Sequence, residues 1–347
     1  MKNIFTILAL TIGFSMNAQM DDNSSNCYAS GNYSVAMGYN TYAGGNYSTA
    51  MGYYTQAYGY ASTAMGYNTD PGGDYSTAMG YYTQAYGYAS TAMGYYTQAY
   101  GYASTAMGEN TQAYGYASTA MGENTTASGY VSTAMGENTT ASGYVSTAMG
   151  EYTTASGDYS TAMGENTQAS DYGSLVIGQY NSSGSSATSA TAFSTANTAF
   201  VIGNGTDSSN TSDAFKVMFN GDATVGNDLT VEGDVVINSD MRLKANILSL
   251  GSTLYKLLQI DGKTYTMKRD ATKKQKIGLL AQDIEKVFPE LVVENKGIKS
   301  VNYQGLVPVL INALKEQDGK MKEQERKYLE QEKRLERLEA IISNMDK

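Results

Sequence analysis

The chain of 347 residues contains no histidine, no tryptophan, one cysteine and three prolines. Without histidine there is no Ser-His or Cys-His catalysis and no imidazole metal site. With Cys27 alone there is neither an intrachain disulfide framework nor a cysteine-built zinc site. Basic residues are nearly missing from the body: Met20 to Asp240 carries 18 acidic residues against the single Lys216, a net of −17. A surface so poor in cations excludes phosphate-backbone binding there, so nucleic acid is not an expected partner. Met241 to Lys347 is the reverse, with 21 bases and 15 acids. No metal and no cofactor are expected. What is abundant is tyrosine, 31 residues, and glycine, 37. Glycine without a three-residue period is not collagen.

Met1-Lys2-Asn3 gives a short positive start, Ile4 to Met16 is mostly apolar, and small residues stand at Ser15 and Ala18. This predicts a secretory signal peptide over 1–19 and an extracellular or cell-surface product. The apolar run is too short to span a membrane and no other segment is longer, so no transmembrane segment is expected.

Serine then recurs every 14 residues, at 34, 48, 62, 76, 90, 104, 118, 132, 146, 160 and 174, with glycine four residues later each time. The unit, as in Ser118 to Val131, is two seven-residue halves, each an alternating stretch followed by a glycine-containing turn. Strand, turn, strand, turn, repeated without insertion, predicts a parallel β-solenoid or β-roll, and the fold class is mostly β. In Ser-Thr-Ala-Met-Gly, Thr and Met share one face and Ser, Ala and Gly the other. The methionine ladder from Met37 to Met163, continued by Ile177, is expected to face an interior, and the Ala/Gly face to admit another backbone closely.

Ser-x-Ala-x-Gly at this period resembles the head of trimeric autotransporter adhesins, the YadA-like head, from about Gly31 to Gly178. The resemblance implies a trimer of left-handed parallel β-rolls. Departures are Met where such heads more often carry Ile or Val, Pro71 at an alanine slot and Asp171 at a glycine slot. That family ends in a membrane-embedded β-barrel segment, whereas here a charged helix is expected, so self-export is not implied.

Tyrosine follows the first glycine of the unit at Tyr39, Tyr53, Tyr67, Tyr81 and Tyr95, and glutamate takes over at Glu109, Glu123, Glu137, Glu151 and Glu165. One position per coil makes a straight ladder. It reads either as an adhesive stripe for a glycan or an extracellular-matrix protein, since tyrosine offers apolar area and a hydroxyl, or as a solvated turn ladder that merely stacks. An ice-binding threonine array through Thr55, Thr83 and Thr97 is a third reading.

After Gly178 the phase is lost, and a neck or loose linker rich in Ser, Thr and Ala is expected over Asn181 to Thr198, within a connector spanning 179–238. Lys216–Phe219, Ala223–Val225, Leu229–Val231 and Val235–Ile237 read as short strands between glycine turns, paired in one chain or shared among chains.

The C-terminal region carries the motifs with chemistry. Ser239-Asp240-Met241-Arg242-Leu243-Lys244, then Ile277 to Ile284, Val287 to Val292 and Val301-Asn302-Tyr303, together resemble the intramolecular chaperone of phage tailspikes and endosialidases, a serine autopeptidase family. The match is placed at 239–313. The resemblance implies trimerisation, guided assembly of the preceding β-structure and single-turnover cleavage of the chain's own Asn238–Ser239 bond. Ser239 is implied as nucleophile and Lys244 as general base. A lysine serves so only when burial or a nearby positive charge lowers its pKa, and Arg242 is a source of such charge. Asp240 acts the other way unless it orients Arg242 or the main chain. Gln282 and Asp283 are either structural or polarise the site. The alternative is that Ser239 or Asp240 caps a helix running through Leu250, on which residues five apart do not meet. A separate alternative for the whole domain is a permanent, uncleaved trimer clamp in a structural or adhesive fibre.

From Leu314 the spacing is heptad-like, with Leu314, Met321, Tyr328, Leu335 and Ile342 in one row and Gln317, Gln324, Gln331, Leu338 and Met345 in the other. This predicts a trimeric coiled coil over 314–347. The expected molecule is a secreted homotrimeric fibre: head over 20–178, connector, chaperone and coil.

Overall fold

The computed structural model describes residues 20–21, 26–268, 270–295 and 297–345. The expected signal peptide lies outside the described residues. Two compact units divide after Gly233.

The first unit is a parallel β-solenoid of about eleven turns. Each coil has a five-residue strand such as Thr119–Glu123, a turn, a two-residue strand such as Thr126–Ala127, and a second turn. Neighbouring coils pair in parallel with a shift of one repeat, Ala120 on Ala134 and Met121 on Met135. The five-residue strands run on into one 15-stranded sheet.

The interior is alanine, not methionine. Ala106, Ala113, Ala120 and their equivalents are fully buried, while the methionines are half-buried on the outer face of the strands. The two walls of each coil stand so close that only small side chains, alanine with serine and threonine beside it, fill the space between them. Each alanine methyl contributes roughly 0.8 kcal/mol, so the core is thin and backbone pairing between coils carries much of the order. Serine suits the adjoining slot because it is small and its hydroxyl bonds locally: Ser90 Oγ donates to the Gly87 carbonyl at 2.7 Å. Thr55, Thr83 and Thr97 are also fully buried, which removes the ice-binding reading.

Both turns need left-handed residues, with φ near +52° at Asn124 and +53° at Val131. Gly122 has φ +121°, and a Cβ there would lie 2.0 Å from the carbonyl oxygen of Gly136 in the next coil. Coil-to-coil contact therefore demands glycine at this position. Pro71 interrupts the short strands: only an isolated bridge, Asp70 to Gln84, remains, and the alanine core falls into two clusters on either side.

Asp171, at a glycine slot, is tolerated because no identical coil follows it. Its carboxylate accepts from the backbone N–H of Thr188 at 2.5 Å and of Thr198 at 2.8 Å. Residues 181–198 are thereby fastened over the end of the roll and are not a loose linker. Thr198–Asn204 resumes the parallel sheet, and Asp213–Met218 and Ala223–Val225 extend it antiparallel. Leu229–Val231 and Val235–Ile237, expected as strands, are unpaired and exposed.

In the second unit, Leu254–Leu257 (α1), Ala281–Val287 (α2) and Leu306–Met345 (α3) accompany two antiparallel hairpins, Lys263–Thr266 with Gln275–Gly278 and Val292–Asn295 with Ile298–Val301. Ile284, Phe288, Leu291, Leu306 and Val309 form its core. α3 runs unbroken through Gly319.

Candidate functional site

Ser239 to Lys244 does not lie on a long helix. Asp240 is extended (φ −62°, ψ 134°) and caps one 3-10 turn, Met241–Leu243, by accepting from the backbone N–H of Arg242 at 2.8 Å. Lys244 is extended again. The tight turn folds the segment back on itself, and Lys244 Nζ donates to Ser239 Oγ at 2.7 Å. Residues five apart thus meet because the turn has fewer residues and a different pitch than an α-helix.

Arg242 is held by Asp240, with Nη2 at 2.7 Å and Nε at 3.1 Å from the carboxylate. That fork, with the backbone bond, holds the Asp240 carboxyl below the usual carboxylate range and raises Arg242 further. Asp240 therefore orients both the main chain and Arg242, and it compensates the positive charge beside the lysine. Ser239, Asp240, Arg242 and Lys244 are all exposed in the single chain.

Gln282 and Asp283 lie on α2. Gln282 is exposed, and Asp283 pairs with Lys286 at 2.9 Å. No hydrogen bond or ion pair among the described residues joins either to Ser239 or Lys244. Among the described residues, no cluster of three or more metal-ligating side chains is placed to hold an ion.

On the roll, Tyr39, Tyr53, Tyr67, Tyr81 and Tyr95 form a stacked ladder with ring centroids 4.8–5.2 Å apart. Tyr54, Tyr82 and Tyr96 meet it edge-on, so this end of the roll carries a dense aromatic surface. Where glutamate takes over, Glu109 to Glu165 stand in register.

A longer row escaped the reading by period. It runs from Tyr33 and Tyr47 through Tyr60, Tyr75, Tyr88, Tyr102, Tyr116, Tyr130 and Tyr144 to Tyr159 and Tyr172. Its members alternate between two adjacent slots, so a strict 14-residue comparison splits them. A second residue without a sequence signal is Glu316, one acid among many on α3, whose carboxylate accepts from Ser252 Oγ at 2.6 Å.

Comparison with known proteins agrees with both halves. The YadA head domain repeat matches residues 29–55, 43–69, 72–97, 99–125, 113–136, 127–153 and 155–181. The chaperone of endosialidase matches residues 239–293, beginning at Ser239 itself. The chain is also similar to a long tail fiber protein of Escherichia phage AR1, 33% identical over 92 residues, covering 24% of this chain and 8% of that protein's length. Among the described residues no helix is long and apolar enough to cross a membrane.

Proposed function

We propose that this protein is an exported homotrimeric fibre with an adhesive β-roll head, assembled by its C-terminal unit, which then cuts the Asn238–Ser239 bond. The observation that carries the cleavage is the 2.7 Å contact between Lys244 Nζ and Ser239 Oγ, placed just after the division between the two units. A cut there releases the chaperone unit almost whole.

In this reading Ser239 Oγ attacks the carbonyl carbon of Asn238 while Lys244 Nζ takes the hydroxyl proton. The peptide C–N bond breaks, the Ser239 nitrogen leaves as an amine carrying that proton, and an Asn238 ester on Oγ remains. Water hydrolyses the ester, leaving an Asn238 carboxylate and restoring the Ser239 hydroxyl. Lysine is a base only when unprotonated, and burial favours that state. In one chain the site is open to water, so the chemistry awaits assembly.

Self-association is supported by apolar side chains around the site that one chain leaves bare, with Val236 85% and Leu248 88% exposed, and by the open heptad row of α3. Tail-first association also solves a register problem. Successive coils are nearly identical, so a slip by a whole repeat leaves most contacts unchanged, and only an outside fixture defines the alignment. The half-buried methionine face offers a surface for the neighbouring rolls.

The test is intact mass and N-terminal sequencing of the folded protein, which are expected to give a fragment beginning at Ser239. A full mature mass unchanged over days would sink the cleavage. It would leave the second reading, a permanent trimer clamp, which the exposure of Ser239 and Lys244 favours. For adhesion, the chain is compared with a variant carrying serine at 39, 53, 67, 81 and 95 for binding to glycans and matrix proteins. Equal binding by both removes that ladder from the interface.

A further inference from the structure

The cleavage segment is exposed from Ser239 to Leu250, and the chain then turns inward onto α3. Thr253 is 2% exposed, and its Oγ1 donates to the Val309 carbonyl at 3.0 Å. Ser252 Oγ donates to Glu316 Oε2 at 2.6 Å, Leu254 N–H donates to Oε1 at 3.2 Å, and Thr253 N–H donates to the same oxygen. Asn312 Nδ2 reaches the Gly251 carbonyl at 3.4 Å. One carboxylate therefore gathers three donors, two of them backbone groups at the start of α1 that have no partner within that helix. Bonds to a charged acceptor are the strong ones.

Glu316 shares its helix face with the buried residues Leu306, Val309 and Ala313; at about 100° per residue the four span roughly 80° of α3. Leu314 and Met321, the first residues of the heptad row, remain exposed on a different side of the same helix. A single stiff element thus carries both the clasp on residues 251–254, just downstream of the cleavage segment, and the seam that three copies would share.

We propose that Glu316 is a positioning residue that ties residues 252–254, the downstream anchor of the Ser239–Lys244 turn, to α3, so that closing the coil sets the geometry for cleavage. This rests on the self-cleavage reading. It explains why cutting would wait for assembly: the downstream anchor of the segment is fixed to the part of the chain that meets its partners first.

The full chain is tested with Glu316→Ala and Glu316→Gln, the latter keeping an acceptor oxygen. Three quantities are read: oligomeric state by sedimentation, hydrogen exchange over residues 239–254, and appearance of the fragment beginning at Ser239. With Ala, the oligomer is expected to persist while amides of this segment exchange, and the fragment forms, at rates altered by at least about tenfold, faster and slower respectively. With Gln, both stay within about threefold of the native chain. Native cleavage and exchange in an intact Glu316→Ala oligomer overturn the proposal. If the native chain does not cleave, the cleavage reading fails, and exchange alone decides: faster exchange at 239–244 supports the tie, unchanged exchange refutes it. If Glu316→Ala does not assemble, Ser252→Ala, which removes one donor, is read by the same two rates, and native values overturn the proposal.

Discussion

Lys244 reaches Ser239 because the carboxylate of Asp240 folds the residues between them into one tight turn. The 2.7 Å bond from amine to hydroxyl is thus a product of the cap at Asp240, one residue after Ser239 and four before Lys244.

Ser239→Ala is expected to abolish the Ser239 fragment, as is Lys244→Arg, because a guanidinium keeps its proton at any physiological pH and cannot act as a base. Intact mass of purified oligomers reads both. Cleavage by the Arg variant at the native rate would remove Lys244 from the base role.

Asp240→Ala removes both the cap on Arg242 N–H and the fork to its guanidinium, whereas Asp240→Asn keeps an acceptor for the cap. Loss of such a cap costs about 1 kcal/mol. Cleavage is expected to slow by about tenfold or more with Ala and by a few-fold with Asn. Equal losses would show that the charge on Asp240, and not the turn, matters.

Gly122→Ala places a Cβ 2.0 Å from the Gly136 carbonyl at φ +121°, so the two coils must part. A loss of more than about 3 kcal/mol is expected, read as a lower melting temperature by circular dichroism. Gly319→Ala on α3, where nothing lies within 4 Å of the added methyl, is the contrast and is expected to stabilise slightly.

Asp70 is the acid in an otherwise neutral row with Gln56 and Gln84, and burial raises its carboxyl above the ordinary range against the lowering by the Tyr86 hydroxyl. A group raised in the fold stabilises below its unfolded pKa and loses that contribution as pH rises through the folded value. Asp70→Gln is therefore expected to raise the melting temperature by about 2–4 °C at neutral pH and to give no gain below about pH 4. A gain that is the same at both pH values would contradict the assignment.

The repeat, its strand–turn–strand unit and the glycine slots were legible in the sequence, since each is a local constraint copied eleven times. The side facing inward was not. Alternation separates methionine from alanine without saying how far apart the two walls stand, and the narrow coil takes alanine inward and leaves methionine on the outer face. The Ser239–Lys244 pair was legible as a motif but its contact was not, because a helix and a tight turn place the same spacing in opposite ways. The long tyrosine row was hidden by its shift between two slots, and Glu316 by its resemblance to every other acid on α3.

The one-dimensional order of this protein is written in its residues: a period of 14, a lysine-poor body, and a basic end without histidine. Distances across the coil, the turn at Asp240 and the reach of Glu316 to Ser252 belong to the folded chain alone. Periodicity arises from neighbours along the backbone, whereas these contacts depend on how closely separate segments pack, which no spacing of residue types encodes.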